Sequence, residues 1–330
     1  MTWLAWRQFR VPALSVYGGL VAIGVVLVIS GMDLRGETDF SDQDFMYSAT
    51  LLVMYLLPAV VGVFWGVPLV TRELETGTHS LVWNQTITRK QWLTTKLGVG
   101  GLASMAAAGL LSLAVTWWNS PIDALASSDP ERGGMITRIE PVVFAARAIA
   151  PIGYAAFAFV LGVAIGIVLR RTLTAMAVTL VAIAAVMIAV PFLVRPYLLP
   201  AAEETVTVEE TNLYQLRGNE SGLEEITVRE PAGSWTLTNE TVDRDGNVVS
   251  PLPAALQDCL APPTRDEPPP ERGSLTGCIA QGFADLGYRQ HVVYQPANHF
   301  WPLQWLELAF FLALSALLTW FCFRRIRHVS

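Results

Sequence analysis

Long stretches without charged residues are the feature that most constrains this 330-residue chain. Each contains the roughly 20 apolar residues that an α-helix needs to cross a bilayer core. Helices of soluble proteins average about 11 or 12 residues, so these stretches are too long for a soluble core. The pattern predicts an α-helical polytopic membrane protein with six transmembrane helices. The stretches are 11–32, 45–71, 97–122 and 172–194 without a charge, 141–169 with Arg147, and 290–323 with Glu307.

Composition excludes several other classes of protein. The chain is 52% hydrophobic and only 15% charged, whereas a soluble domain carries about 25% charged residues. Disordered chains and disulfide-dense secreted scaffolds do not have this composition. A net charge of −6, with Lys90 and Lys96 as the lysines, also argues against a nucleic-acid partner.

The first apolar stretch follows Arg7 and Arg10, as in a signal peptide. Its length exceeds the 7–15 residues typical of a signal-peptide core, and no clear cleavage site follows it. We therefore expect it to remain as a membrane anchor.

Basic residues in the short loops predict the orientation, because cytoplasmic loops are enriched in Lys and Arg. With both termini cytoplasmic, only Arg35, Arg132 and Arg138 fall in the short outer loops. The opposite orientation places the larger basic set outside, so we predict that both termini are cytoplasmic. That larger set is Arg7, Arg10, Arg72, Arg89, Lys90, Lys96, Arg170, Arg171, Arg324, Arg325 and Arg327.

The one large hydrophilic segment, 196–298, then lies on the extracellular side. Its strand-like runs, such as 205–208 and 234–238, predict an α/β or mainly β domain between helices 5 and 6. Cys259 and Cys278 fall in this oxidising compartment and predict a disulfide, with two free thiols as the alternative. Cys322 is expected to be a buried thiol. The remaining predicted parts are an N-terminal interfacial (elbow) helix at 1–10, five transmembrane helices within 11–195, the sixth at 299–323, and a basic cytoplasmic tail at 324–330.

Motifs for catalysis, metal binding or nucleotide binding are missing from the sequence. The four histidines lie in separate regions without metal-ligand spacing, and there is no phosphate-binding loop or nucleophile elbow. We predict no catalytic residues, no metal site and no cofactor in this chain. Any ATP must be used by another protein.

Arg147 and Glu307 are the charges inside the predicted spans. Each lies six residues into a helix entered from outside, which places it about 9 Å below the outer boundary. An isolated charge in hydrocarbon costs several kcal/mol. We hypothesise that the two form an intramembrane charge pair; snorkelling to water or contact with the external domain are the alternatives.

The loop between helices 2 and 3, 71–92, is longer than a simple connection requires. Gly77 and the charges before it suggest a short helix followed by a turn. This loop is either a docking element for a cytoplasmic partner or an interfacial helix that caps the bundle. Within the membrane, Gly62 with Gly66, and Gly162 with Gly166, form small-x-x-x-small steps that allow close helix packing.

Several sequence blocks resemble ABC-2-type transporter permeases of actinobacteria. The most specific is VPLVTRELETGTH at 67–79, which continues through LVWNQTITR at 81–89 and Trp92. WLAWRQ at 3–8, YQPA at 294–297 and FWPLQW at 300–305 are similar to the same group. Ser80 departs from the pattern, because relatives often carry a basic residue there. The resemblance is weakest across the external segment.

The resemblance implies a permease subunit of an ABC exporter. Such permeases work as a homodimer, or with a related permease, together with two copies of a separate ATPase subunit that holds ATP and Mg²⁺. It also implies an interfacial helix within 2–10 and a coupling helix after the second span. The residues implied in coupling to the ATPase are Arg72, Glu73, Leu74, Glu75, Thr76, Gly77, Thr78, His79, Leu81 and Trp83.

The substrate is expected to be a small hydrophobic or amphipathic compound such as a drug, an antibiotic or a lipid-like molecule. Aromatic side chains could line its route, although packing explains them equally well. One alternative is a proton-coupled secondary carrier that uses Glu307. Another is a non-transporting sensor or assembly protein with an extracellular ligand-binding domain. The possible translocation residues are Tyr55, Phe64, Trp65, Trp117 and Trp118.

Overall fold

The computed structural model describes residues 2–34, 43–77, 88–128, 137–219, 222–253, 256, 259 and 275–327. Helices account for most of the chain. They are α1 (Thr2–Asp33), α2 (Asp44–Val60), α3 (Pro68–Glu75), α4 (Arg89–Ser128), α5 (Pro141–Phe144), α6 (Ala150–Leu169), α7 (Thr172–Ala189), α8 (Leu275–Leu286) and α9 (Phe300–Ile326).

The predicted six membrane-spanning helices are present among the described residues, each long and apolar enough to cross a bilayer. The chain is therefore a multi-pass membrane protein. Its central helix is α6, because 72% of its most apolar stretch is buried, compared with 11% in the first span. The spans are Arg10–Met32, Asp44–Glu75, Arg89–Ala124, Ala150–Leu169, Thr172–Tyr197 and Ala297–Ile326.

The fourth apolar stretch, 141–169, is broken rather than continuous, which corrects the predicted single helix. The four-residue α5 is followed by turns at 145–149, and α6 begins at Ala150. Ala148 adopts a left-handed conformation with φ of 52°, which costs about 1–2 kcal/mol in a residue other than glycine. The break frees backbone groups inside the protein, and these need other partners.

The second span contains a π-helical turn. Val61–Gly66 links α2 to α3, and the Val67 N–H donates to the Gly62 carbonyl oxygen at 3.1 Å. This five-residue spacing widens the helix locally. The wide turn packs against α6, because both helices carry glycines where their backbones meet.

The two small-x-x-x-small steps pack against each other within one chain. A Cβ on Gly162 would overlap the Gly62 carbonyl oxygen, and a Cβ on Gly62 would lie 2.8 Å from the Ala158 carbonyl oxygen. A Cβ on Gly166 would lie 2.9 Å from Thr71 Cγ2. Glycine is therefore required for contact between the second span and α6.

The chain divides into two compact units, residues 1–199 with 298–330, and residues 200–297. The second unit combines strands with α8. Strands β1, β5 and β4 form an antiparallel sheet in that order, and β2 and β3 form a hairpin. The strands are β1 (Ala202–Val206), β2 (Leu213–Asn219), β3 (Gly222–Val228), β4 (Trp235–Val242) and β5 (Arg289–Gln295).

The core of this second unit lies between α8 and the strands. Ile279 and Phe283 of α8 are fully buried with Ile226 and Val228 of β3, and Val292 of β5 packs in the same cluster. Of the two predicted domain types, the mixed one with helix and sheet is present. The predicted disulfide joins Cys259 to Cys278, at the fourth residue of α8.

The glycine contact yields a direct prediction. Gly162→Ala should lower the free energy of unfolding by about 1–3 kcal/mol, because its methyl group overlaps backbone that cannot rotate away. Gly98→Ala is the control, because nothing lies within 4 Å of a Cβ at that helical position. Thermal or detergent-induced unfolding of the purified protein provides the measurement. Equal effects of the two substitutions would contradict the role assigned to the contact.

Candidate functional site

Two polar clusters lie at opposite ends of the membrane unit. One surrounds α3 at what we call the basic end, where α3 and α9 finish and α4 and α7 begin. Arg72, Arg89, Arg171 and Arg325 belong to these helix ends. The other cluster surrounds the break before α6 and the residues that flank the second unit in sequence.

The second span continues through the π-helical turn into α3 and ends at Glu75, so the described part of the 71–92 loop contains the end of that span and not a separate short helix. The expected turn is present at Gly77. Val70, Thr71 and Leu74 are buried, whereas Arg72 is exposed. Gly77 adopts a φ of 73°, the left-handed conformation with which many helices end. The helix is therefore fixed on one side and accessible on the other.

Glu73 connects α3 to α4. Its carboxylate accepts hydrogen bonds from Lys96 Nζ at 2.6 Å and from Trp92 Nε1 at 3.0 Å. Lys96 also donates to the Leu69 carbonyl oxygen at 2.7 Å and is only 5% exposed. Because its ammonium group is desolvated, the ion pair depends on both partners being in place. Glu73 is thus an internal connection and not an outward-facing charge.

Glu75 connects α3 to α7. Its carboxylate accepts from the Thr172 hydroxyl at 2.6 Å and from the Thr172 backbone N–H at 3.3 Å. The second bond satisfies one of the N–H groups left free at the start of α7. The Thr172 hydroxyl also lies 3.0 Å from the hydroxyl of Thr71. Consequently, the two acidic residues of α3 bind two different membrane helices.

The remaining residues of the predicted coupling set divide into two groups. Thr76, which is exposed, donates its hydroxyl to the Arg72 carbonyl oxygen at 2.8 Å and ends the helix. The other group lies outside the described residues, and it comprises Thr78, His79, Leu81 and Trp83.

The opposite cluster is centred on Glu307, which is fully buried. Arg195 donates to both carboxylate oxygens, from Nε at 2.7 Å and from Nη2 at 2.9 Å, and is itself fully buried. The Tyr154 hydroxyl donates to the same carboxylate at 2.7 Å. Arg195 Nη1 reaches the Pro141 carbonyl oxygen at 3.1 Å. This bidentate pair is the strongest polar contact geometry available to the two side chains.

The hypothesis that Arg147 pairs with Glu307 is therefore wrong. Arg147 Nη2 lies 3.7 Å from a carboxylate oxygen of Asp123, and Nη1 lies 3.5 Å from the Val115 carbonyl oxygen. Arg147 falls in the turns before α6, so its side chain faces α4 instead of α9. The hypothesis assumed that both residues lie at the same depth in continuous helices, and the break before α6 removes that assumption.

Polar side chains also satisfy the backbone freed by that break. Gln304 Oε1 accepts from the Ala150 N–H at 2.7 Å, and Gln304 Nε2 donates to the Phe144 carbonyl oxygen at 3.1 Å. Ser112 donates to the Ala148 carbonyl oxygen at 2.6 Å. Side chains of two neighbouring helices, α9 and α4, thus supply hydrogen-bond partners for the backbone at the break.

The aromatic residues suggested as a translocation route do not form one group. Trp118 is buried and donates to Ser30 Oγ at 2.9 Å, and Trp65 is buried and donates to the Pro12 carbonyl oxygen at 3.2 Å. Tyr55 donates to the Val142 carbonyl oxygen at 2.9 Å. The two others are exposed, Phe64 by 58% and Trp117 by 39%.

Sequence reasoning missed Lys96, Arg195 and Gln304 as functional partners. The sequence offers one indication that Lys96 is buried: it lies one helical turn after Trp92, at the start of an apolar stretch. Arg195 directly follows the charge-free stretch 172–194, so the sequence does not place it inside the membrane. Among the described residues, no group of three His, Cys, Asp or Glu side chains is arranged to hold a metal ion.

Both clusters include residues of a region that matches a known family, whereas Gln304 and Glu307 lie beyond it. Residues 34–195 match the family model described as ABC-2 membrane transporter related. No curated protein matches the chain, and no solved structure matches it. The match includes α3, α4, the break and Arg195.

The buried pair predicts a coupled effect on stability. Glu307→Leu or Arg195→Leu alone should lower the free energy of unfolding by about 3 kcal/mol or more, because each leaves a buried charge without its partner. The double substitution should cost less than the sum of the two. Detergent-induced unfolding of all three variants measures the coupling.

Arg147→Leu serves as the comparison for this cycle. Its carboxylate partner, Asp123, is 17% exposed and 3.7 Å away, so losing the arginine should cost less than losing Arg195. Strictly additive losses for Arg195 and Glu307 would contradict the strength assigned to their pair.

Proposed function

We propose that this chain, whose residues 34–195 match the ABC-2 membrane transporter related family, is an ABC-2-type permease and the membrane subunit of an exporter driven by a separate ATPase. The ATPase, in two copies, supplies ATP and Mg²⁺, and a second copy of this chain or a related permease completes the transporter. The proposed cargo is a small hydrophobic or amphipathic compound. ATP hydrolysis belongs to the partner and not to this chain.

The observation that carries the proposal is the pair of contacts made by α3. A partner that pushes on its exposed side moves Glu73 and Glu75, which bind Lys96 of α4 and Thr172 of α7. An ATP-driven displacement at one surface is thereby transmitted to two transmembrane helices. A helix that merely caps the bundle requires burial of its apolar side but no such connections.

We further propose that the basic end is cytoplasmic and that residues 200–297 lie outside the cell. The enrichment of Arg and Lys at the basic end supports this orientation. A disulfide in the second unit is consistent with an oxidising compartment. The ATPase then meets α3 on the side where ATP is present.

The contacts of Glu307 disfavour a proton-coupled carrier. Both of its carboxylate oxygens accept hydrogen bonds from Arg195, and one also accepts from Tyr154. A carrier that used Glu307 would have to break this buried bidentate pair in each transport cycle.

Co-purification tests the proposed partnership. The tagged chain, extracted gently from native membranes, should bring down a P-loop ATPase in equal amount. Reconstituted vesicles should then transport only when ATP is supplied on the side of the basic end. Purification of the chain alone, together with transport that continues without ATP, would overturn the proposal.

Lys96 and Lys90 provide a matched test of coupling. Lys96→Met removes the partner of Glu73, whereas Lys90→Met removes an exposed lysine from the same helix. We expect Lys96→Met to reduce transport per ATP hydrolysed about tenfold while the ATPase still co-purifies. Lys90→Met should change this ratio less than twofold.

Glu73→Gln provides the complementary test. Its amide oxygen can still accept from Trp92 Nε1, but the ion pair is lost. It should therefore reproduce the transport defect of Lys96→Met, and the double variant should be no worse than either one. Normal coupling in both single variants, with normal expression, would remove these residues from the transmission route.

A further inference from the structure

A groove lies between α1 and the helix that runs through the π-turn into α3. Its volume is about 250 Å³. Pro12 of α1 forms one wall, and Phe64, Trp65 and Leu69 form another. Arg72 and Glu73 line its end nearest the basic end of the bundle. The groove is therefore apolar along its length and charged at one end.

The charges at that end do not cancel. The Glu73 carboxylate already binds Lys96 Nζ at 2.6 Å, and its other oxygen accepts from Trp92. Among the described residues, the Arg72 guanidinium forms no ion pair and no side-chain hydrogen bond, and it is exposed. One positive charge thus remains at the mouth of the groove, with five N–H donors available.

The dimensions fit a molecule whose polarity changes along its length. Phe64 and Arg72 are eight residues apart, or about 12 Å along a helix. Phe64 is 58% exposed within a membrane span. A bilayer presents the same gradient, from acyl chains to phosphate groups, over a comparable distance.

We propose that this groove binds one anionic phospholipid. The phosphate of the lipid contacts Arg72, and the part of an acyl chain nearest the headgroup lies between Pro12 and Phe64. A guanidinium binds phosphate through paired, charge-assisted hydrogen bonds. Soluble phosphate or nucleotide would leave the apolar walls without a function. The site shares α3 with the proposed ATPase coupling, but lipid binding is a property of the permease alone and does not require the ATPase.

The test is native mass spectrometry of the purified permease, without any ATPase, titrated with phosphatidylglycerol or phosphatidylcholine. We expect the first phosphatidylglycerol to bind about tenfold more tightly than phosphatidylcholine, since one charge-assisted contact is worth roughly that factor. Arg72→Gln should abolish this preference. Arg325→Gln, which removes an exposed arginine at the same end of the bundle but away from the groove, should preserve it.

A second variant tests the apolar part of the groove. Leu69→Trp should fill it and weaken the first binding step of both lipids, with the melting temperature checked to exclude misfolding. Equal losses in Arg72→Gln and Arg325→Gln would reveal general electrostatic attraction and overturn the proposal. Displacement of the first lipid by millimolar inorganic phosphate would also overturn it. So would unchanged lipid binding in Arg72→Gln accompanied by loss of ATPase co-purification, because Arg72 would then belong to the ATPase docking surface.

Discussion

Every backbone N–H and C=O inside a bilayer must find a partner within the protein, and the break before α6 is where this requirement has its greatest effect. A continuous helix would satisfy these groups locally. The turns at 145–149 instead depend on Gln304 from α9 and on Ser112 from α4. The positions of two other transmembrane helices are consequently tied to one short irregular segment.

The Arg195–Glu307 pair extends the same dependence. Removing two charges from water is costly, and a buried ion pair is not in itself evidence of high stability. Instead, the pair favours one arrangement of the helices. The Arg195 guanidinium binds both Glu307 oxygens and the Pro141 carbonyl oxygen, and few other positions of these helices would allow all three contacts. The pair fixes α9 against the end of the fifth span and against α5.

The features that could be predicted from the sequence are those that depend on properties averaged over many residues. Six spans and a helix–sheet insertion follow from hydropathy over tens of residues, and the disulfide follows from two cysteines in one segment. The break at 145–149 could not be predicted in this way, since its one charged residue, Arg147, is equally compatible with a charge inside a regular helix. The Arg147–Glu307 hypothesis failed for that reason, because a depth count assumes unbroken helices.

Around α3, local chemistry predicted the turn at Gly77, which is present. It did not predict that α3 is the end of the second span, nor which residues its charged side chains contact. The sequence alone assigned Glu73 and Glu75 no partner within the chain. Their partners, Lys96 and Thr172, are 23 and 97 residues further along the chain. Such contacts depend on tertiary packing, which one sequence does not reveal.

The location of the buried pair has a consequence for how the protein can evolve. Arg195 precedes the second unit by five residues, and Glu307 follows it by ten. The ion pair thus joins the two parts of the membrane unit that flank the second unit in sequence. Because no residue of 200–297 takes part in this ion pair, we expect changes in the length or sequence of that unit to leave the two adjoining ends of the membrane unit joined.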